Sequence, residues 1–253
     1  MTNYLELIGH FGLFTTRSVH RAFRRPYEIQ MIWLNIEQAG WLSLPLVAAA
    51  GLAMGVILTL HTRSSLIQFG AEALIPSVQA LAYFNEIGPL LTGLLVSGRV
   101  GAGIGAELAN MRATEQIDAI EALSIDSFKL LVIPRIVACT VVLPLLTIFM
   151  DACGLIGCFL LENRLSDLSL TLFMDRAFSR IGWVSIIPPT FKTAVFGFLI
   201  GVVSCYYGYT TDEGSIGVGR AATHSVVVSS LMIILADVVL VKLIFFLFPD
   251  TAI

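Results

Sequence analysis

Hydrophobic residues run along this chain in long segments that short polar stretches separate. Runs of about 20 apolar residues are long enough to cross a bilayer as a helix. Such runs occur at 41–60, 87–109, 130–161, 188–208 and 226–248. No series of short alternating segments, which would predict strands, appears elsewhere. The pattern predicts an all-α, polytopic membrane protein with a transmembrane core at 41–248, organised as one membrane domain over 1–253.

The N-terminal segment has a different pattern. Apolar side chains recur there at helical spacing and basic side chains follow them: Tyr4, Leu7, Phe11 and Phe14, then Arg17, Arg21, Arg24 and Arg25. An apolar face with a basic end is typical of a helix that lies in the interface of an anionic leaflet. We therefore expect an interfacial amphipathic helix over 1–25. The alternative is a frayed soluble tail.

Composition supports a membrane setting. Hydrophobic residues make up 57% of the chain and charged residues 13%, whereas soluble domains have about 45–50% and about 25%. The net charge of -3 gives no indication of nucleic-acid binding. The four cysteines lie in apolar runs and the four histidines are scattered, so no metal site is predicted. Lys and Arg counts of eight against five, with Lys192 on the outer side, favour an N-terminus in the cytoplasm and a C-terminus on the outer side of the membrane.

The stretch 98–123, GRVGAGIGAELANMRATEQIDAIEAL, admits two interpretations. Its G-x-G-x-x-A pattern matches a dinucleotide-binding turn, but such a turn needs a parallel sheet that the rest of the sequence does not predict. Small residues instead recur every four positions, at Gly93, Ser97, Gly101 and Gly105. Such a stripe lets transmembrane helices approach closely, so we assign these residues to helix packing.

Three of the charged residues in or beside the predicted spans are candidates for specific contacts. Arg99 lies inside the second span, where an arginine costs about 2.5–3.5 kcal/mol if it faces lipid. It should therefore face protein, water or an anionic ligand. Glu86 lies at the outer end of the same helix, and a salt bridge is as plausible as a ligand contact. Asp237 lies in the fifth span, and we expect its partner on another helix.

The residues after Arg99 resemble the signature region of MlaE-type permeases, the membrane subunits of ABC transporters that act with MCE proteins. The resemblance includes GRVGAGIGAELANMRATEQIDAIEAL and LVIPRIVA, extends back through NEIGPLLTGLLVSGRVG and forward to GSIGVGRAATHSVVVSSLMIILAD. It covers most of the chain from about residue 40. The family implies an N-terminal interfacial helix, five transmembrane helices, a homodimer and phospholipid transport across the bacterial inner membrane.

The resemblance also implies partners and residue roles. Partners are a separate cytoplasmic ABC ATPase, a periplasmic MCE protein and, in some assemblies, a STAS-domain protein. ATP is used by the ATPase, so this chain needs no cofactor and has no catalytic residue of its own; it contains no Gly-Lys dipeptide of a P-loop. Tyr83, Glu86 and Arg99 become candidate lipid-cavity residues. The segment 111–123 becomes a coupling helix, with candidate contacts at Arg112, Glu115, Gln116, Asp118 and Glu121.

Two positions depart from the family pattern. Ser124–Ser127 replaces a Gly-Val-x-Pro-like turn, and Ser124 or Asp126 is expected to cap the next helix. Asn85 stands where the family has an arginine, which changes the charge near the cavity.

Three other functions compete with this interpretation. An ion-coupled transporter or channel would use Arg99, Glu86 and Asp237 as a relay. A lipid-modifying enzyme lacks a recognisable catalytic cluster. A non-transporting scaffold is the third alternative, and it would stimulate no ATPase.

Overall fold

The structure is a computed structural model that describes residues 2–22, 28–179, 181–211 and 214–248. Among these residues the regular structure is helical and contains no strand. The α-helices are α1 (Thr2–Ala22), α2 (Ile29–Trp41), α3 (Leu44–Gln68), α4 (Ile75–Ala82), α5 (Gly88–Val96), α6 (Ala102–Ala113), α7 (Gln116–Ala122), α8 (Ile133–Ser166), α9 (Leu170–Phe178), α10 (Ile187–Tyr209) and α11 (Gly214–Leu247).

Within the described ranges, five helical stretches are long and apolar enough to cross a membrane: Ile29–Gln68, Glu72–Ala113, Phe128–Ser166, Trp183–Tyr209 and Gly214–Leu247. They coincide with the five predicted spans, so the prediction of an all-α, polytopic membrane protein is confirmed. Many of their large apolar side chains are exposed, such as Leu235 and Val239 on α11. Exposed apolar side chains on spanning helices are expected where the surrounding solvent is lipid.

The helices extend beyond the predicted bounds. Helix α2 was not predicted, because its polar residues interrupt the apolar pattern. The predicted coupling helix at 111–123 was wrong in its bounds. Residues up to Ala113 belong to α6, and α7 covers only Gln116–Ala122. The break follows from Glu115, whose φ of 58° lies in the left-handed region that ends a right-handed helix.

The chain divides into two compact units. The first unit comprises Met1–Trp41, Val96–Val142 and Val195–Ile233. Its core contains Phe14 of α1, Leu108 of α6, Ile117 of α7 and Phe128, all at most 8% exposed. Phe14 also contacts the ring of Tyr206 at a centroid distance of 5.5 Å. At Phe14, therefore, the apolar face of α1 packs on protein. Arg24 and Arg25 of the predicted basic end lie outside the described residues.

The second unit comprises Leu42–Leu95, Leu143–Ala194 and Ile234–Ile253. One core cluster joins Ala80, Cys158 and Phe173. Backbone contact is close where α3 meets α8, because a Cβ atom added at Gly55 would overlap the carbonyl oxygen of Gly154. Only glycine allows two helix backbones to approach this closely.

Candidate functional site

In the part of the chain that the structure describes, three π-helical turns interrupt the spanning helices, and charged residues lie in each of them. The turns are Tyr83–Ile87, Ser97–Gly101 and Phe128–Val132. Glu86 lies in the first and Arg99 in the second. Such turns disturb the regular backbone ladder and are frequent at functional sites. Carbonyl oxygens from two of these turns accept side-chain hydrogen bonds, Asn85 O from Lys192 and Leu131 O from Arg135.

In the second unit, one lysine forms ion pairs with two carboxylates. Lys192 of α10 places its Nζ 2.9 Å from Glu86 Oε2 and 2.9 Å from Asp237 Oδ1. Its side chain is 1% exposed and that of Asp237 is 8% exposed, whereas the Glu86 side chain is 44% exposed. The partner of Asp237 is therefore on another helix, as expected. The three groups carry a formal charge of -1, and Glu86 is the member that remains accessible.

The exposed side of this group opens toward apolar walls. A small cavity of about 30 Å³ contains Asn85, Glu86 and Lys192 on its polar side. Its apolar side is formed by Val184, Pro189, Val241, Ile244 and Phe245. At this volume the cavity itself admits about two waters, so a larger ligand would contact its rim, where a few polar groups meet apolar side chains.

Tyr83 of the same unit packs in the protein interior. Its side chain is fully buried, and its hydroxyl donates to the Gly51 carbonyl oxygen at 3.1 Å. A Cβ atom added at Gly154 would overlap the Tyr83 ring. Tyr83 thus links α3 and α8, and its side chain does not line the cavity beside Glu86.

Arg99 belongs to the first unit and lines another cavity, of about 260 Å³. Glu107 and Arg135 line this cavity too, and they pair at 2.9 Å. Arg135 also donates to the Leu131 carbonyl oxygen at 2.7 Å. The structure therefore assigns Glu86 and Arg99, both predicted as lipid contacts, to two different units with different charged neighbours.

The residues predicted to contact the ATPase lie in α7 and in the segment just before it. Arg112 pairs with Asp118 at 2.5 Å, and Gln116 donates to the Thr114 hydroxyl at 2.9 Å. Ile117 is fully buried in the core of the first unit, whereas Leu123 is 73% exposed. Part of the apolar face that was expected to dock on a partner therefore packs on this chain. The exposed residues of the segment include the polar Glu115 and Asp118 as well as Leu123.

Hydroxyl groups hold the end of α7. Ser127 and Tyr209 donate to Glu121 Oε1 at 2.6 and 2.9 Å. The Ser127 hydroxyl, followed by that of Tyr209, holds the pKa of the Glu121 carboxyl below its usual range. Tyr209 is the last residue of α10, so its hydrogen bond to Glu121 connects α7 directly to a spanning helix.

The turn after α7 connects to the N-terminal helix. Arg21 of α1 donates to both carboxylate oxygens of Asp126 at 2.6 and 2.8 Å. Asp126 also accepts from the Lys129 backbone N–H at 3.3 Å, so it caps the following helical segment as the sequence predicted. Arg17 and Arg21 lie over the Phe128 ring at 4.8 and 5.3 Å.

The stripe of small residues lies within the packed protein. Gly93 is buried in the second unit. In the first unit, Ser97 is hydrogen-bonded to Ser229 at 2.6 Å. A Cβ atom added at Gly101 would lie 3.1 Å from Ser204 Oγ, and one at Gly105 would overlap Ser225 Oγ. Three members of the stripe thus contact α10 or α11.

Two residues that form ion pairs in these regions were not identified as candidates from the sequence. The sequence indicates Lys192 only as a charge on the outer side, whereas the structure buries it within α10. An isolated lysine in an apolar span was the available signal. Asp126 had been considered only as a cap. The four cysteines are buried and unpaired, and no cluster of three or more metal ligands occurs among the described residues.

Comparison with known proteins adds independent information. A family model described as "Permease MlaE" matches residues 32–243. A probable ABC transporter permease protein of Rickettsia felis is 37% identical over 242 residues, covering 96% of this chain and 93% of the relative. One from Synechocystis sp. is 34% identical over 199 residues, covering 79% and 76%.

A plant protein is also similar. The chloroplastic protein TRIGALACTOSYLDIACYLGLYCEROL 1 of Arabidopsis thaliana is 33% identical over 212 residues, covering 82% of this chain and 61% of the plant protein.

Proposed function

Because this chain belongs to the MlaE permease family, we propose that it moves phospholipid between the bacterial inner membrane and a periplasmic MCE protein. In this role it helps to maintain the lipid asymmetry of the outer membrane. It acts as a homodimer, with its N-terminus in the cytoplasm and its C-terminus in the periplasm. A separate cytoplasmic ATPase supplies the energy, and a STAS-domain protein is a possible further subunit in the assembly.

The observation that carries the proposal is the buried group around Lys192. Within a spanning region, Lys192 neutralises one of two carboxylates, and the accessible Glu86 stands beside apolar walls that include Val241 and Phe245. Polar and apolar surfaces side by side suit a phospholipid, whose headgroup and acyl chains need different surroundings. Glu86 and Arg99 are the proposed lipid contacts, and Tyr83 supports the wall by packing.

Energy reaches the membrane helices through α7. Its exposed residues Glu115, Gln116, Asp118 and Glu121, with the neighbouring Arg112, form the proposed ATPase contact. Ile117 and the hydrogen bond from Tyr209 to Glu121 transmit a displacement of α7 to the first unit and to α10. Helices that meet at small residues, as at Gly105, can slide without unfolding.

Copurification tests this function. The chain is pulled down from native membranes in mild detergent, and associated proteins and lipids are identified by mass spectrometry. We expect a P-loop ATPase, an MCE protein and bound phospholipid. The competing ion-coupled carrier, which the charged group of Glu86, Lys192 and Asp237 favours, predicts a chain that is isolated without an ATPase.

A further inference from the structure

Helix α9, which connects the third and fourth spanning stretches, exposes a row of apolar side chains. Leu170, Met174 and Phe178 recur every four residues and therefore share one side of the helix. They are 52%, 45% and 43% exposed. We call these three residues the apolar row.

The adjoining side of α9 packs on the protein. Phe173 and Ala177, which are also four residues apart, are fully buried and belong to one cluster with Leu155 and Cys158 of α8. The ring centroid of Phe173 lies 5.4 Å from that of Phe159. These contacts hold α9 against α8, so the apolar row has a fixed direction.

Polar side chains form a third side of α9. Thr171, Asp175 and Ser179 are exposed and recur every four residues, and we call them the polar row. Because successive residues are about 100° apart around a helix, the polar row follows directly after the apolar row. Leu172 and Arg176 complete the circle. Neighbouring apolar and polar sides are typical of a helix that lies in a membrane interface.

The depth of α9 follows from the residues of α8 that it contacts. Leu155, Cys158 and Phe159 lie in the uncharged stretch between Asp151 and Glu162 of a spanning helix. With a rise of about 1.5 Å per residue, Phe159 precedes Glu162 by only about 4.5 Å along the helix axis and Leu155 by about 10 Å. The chain therefore turns back after α8, and α9 lies beside the apolar part of that helix.

The same turns of α8 also face lipid. Ile156 and Leu160 lie between or beside the residues that contact α9, and they are 50% and 53% exposed. Exposed apolar side chains on a spanning helix are covered by the bilayer. The apolar row thus lies at the depth of a lipid-facing surface. Trp183, shortly after α9, is 64% exposed, and tryptophan is enriched where lipid headgroups meet water.

We propose that α9 is an interfacial helix whose apolar row contacts the acyl chains of the surrounding leaflet, while its polar row faces headgroups and water. The partner of this surface is the bilayer. The inference concerns the lipid around the protein and not a transported molecule, so it holds or fails independently of the proposed function.

The membrane contact of α9 reaches the turn that contains Glu86. Ala80 of α4 belongs to the same buried cluster, and the ring centroid of Phe178 lies 6.1 Å from that of Phe84. Phe84 and Glu86 are both part of the π-helical turn Tyr83–Ile87. A helix anchored in the interface therefore supports this turn at a fixed depth in the membrane.

Site-directed spin labelling of the full chain in liposomes of phosphatidylethanolamine and phosphatidylglycerol tests the proposal. The variants Met174→Cys and Asp175→Cys are labelled separately, since the native cysteines are buried. Collisions of each label with oxygen, which partitions into lipid, are compared with collisions with a water-soluble nickel chelate. We expect the ratio of oxygen to nickel collisions to be several times higher at position 174 than at position 175. Ile156→Cys provides the lipid-facing reference.

Leu170→Cys and Thr171→Cys form a second pair and should repeat the difference. All four side chains are exposed, so the label does not enter the core. Frequent nickel collisions at all four positions would place α9 in water and refute the proposal. Few collisions with either reagent at positions 170 and 174 would mean that protein covers the apolar row, which would refute it as well.

Discussion

At the residue scale, the spanning helices contain charges that are balanced by specific neighbours. Lys192 contacts two carboxylates and a carbonyl oxygen of a π-helical turn. Arg135 contacts one carboxylate and another such carbonyl oxygen. Buried charged side chains need such oppositely charged or hydrogen-bonding partners, because an uncompensated ion in a low-dielectric interior costs several kcal/mol. These contacts place strong constraints on which side chains can be changed.

Lys192→Met should destabilise the protein by about 3–5 kcal/mol, since it leaves Asp237 buried without its cation. The measurement is the thermal unfolding midpoint in detergent. Lys242→Met removes an exposed lysine from α11 and should have little effect. The double change Lys192→Met with Asp237→Asn should recover part of the loss. An unchanged midpoint in Lys192→Met would contradict the buried pairing.

Protonation of Glu121 should release α7. The folded-state pKa of this carboxyl is lowered, so its stabilising contribution is complete above the unfolded value of about 4.3. The contribution is lost as the pH falls through the lower folded-state pKa. A spin label on a cysteine introduced at Ala119 should therefore gain mobility in acid.

The variant Glu121→Gln is the control for this titration. It removes the carboxyl, so the mobility of the label should no longer change over the same pH range. The native cysteines are buried, which favours selective labelling of the added one. Identical pH profiles in the two proteins would exclude Glu121 as the titrating group.

At the scale of the helices, long apolar segments made the five spans predictable, because hydrophobic length alone selects them. The π-helical turns were not predictable, since they depend on contacts between helices. The same holds for the pairing of Lys192 with Glu86, which are 106 positions apart. The break at Glu115 was missed because the charged residues around it are compatible with a helix. Arg99 was identified as a charge that needs protein surroundings, but its cavity requires three segments to come together.

Gly105→Val tests the packing of α6. The added side chain would overlap Ser225 Oγ and meet the Ala221 carbonyl oxygen, so we expect a loss of about 1–3 kcal/mol in unfolding free energy. Gly98→Val is the matched control, because no other atom lies within 4 Å of its added Cβ. Equal thermal midpoints in detergent would contradict close packing at Gly105.

At the scale of the whole molecule, the candidate coupling segment around α7 and the charged group of Lys192 belong to different units. The first unit contains α7, the N-terminal helix and the cavity of Arg99. The second contains the charged group of Lys192. In the proposed function, an event at a cytoplasmic partner changes the lipid contacts, so variants in the two regions should affect different steps.

The double change Asp118→Lys and Glu121→Lys should abolish stimulation of the partner ATPase while the membrane dimer remains intact. Reversed charges disfavour docking at the same surface. The assay is ATP hydrolysis by the reconstituted complex, with size-exclusion chromatography to establish the dimer. Because the change also breaks contacts within the chain, Tyr209→Phe serves as a second variant. It removes the hydroxyl contact that the proposal uses for transmission but keeps the surface charge, so the ATPase should still copurify with the complex while its stimulation is weakened.

A charge-matched control is available in the second unit. Glu72→Lys with Asp175→Lys alters two exposed acidic residues in the same way and should leave ATPase stimulation unchanged. Stimulation that survived Asp118→Lys with Glu121→Lys would remove the coupling role assigned to α7.

The most direct test of the central claim is phospholipid transfer. Proteoliposomes that contain this chain, its ATPase partner and radiolabelled phospholipid are mixed with the purified MCE protein, and label on the MCE protein, or its return to the liposomes, is followed over time. We expect movement that requires ATP and is lost when the permease is omitted. Movement that needs a proton gradient but no ATPase, or no movement in either direction with ATP, would contradict the assignment as a phospholipid-transporting ABC permease.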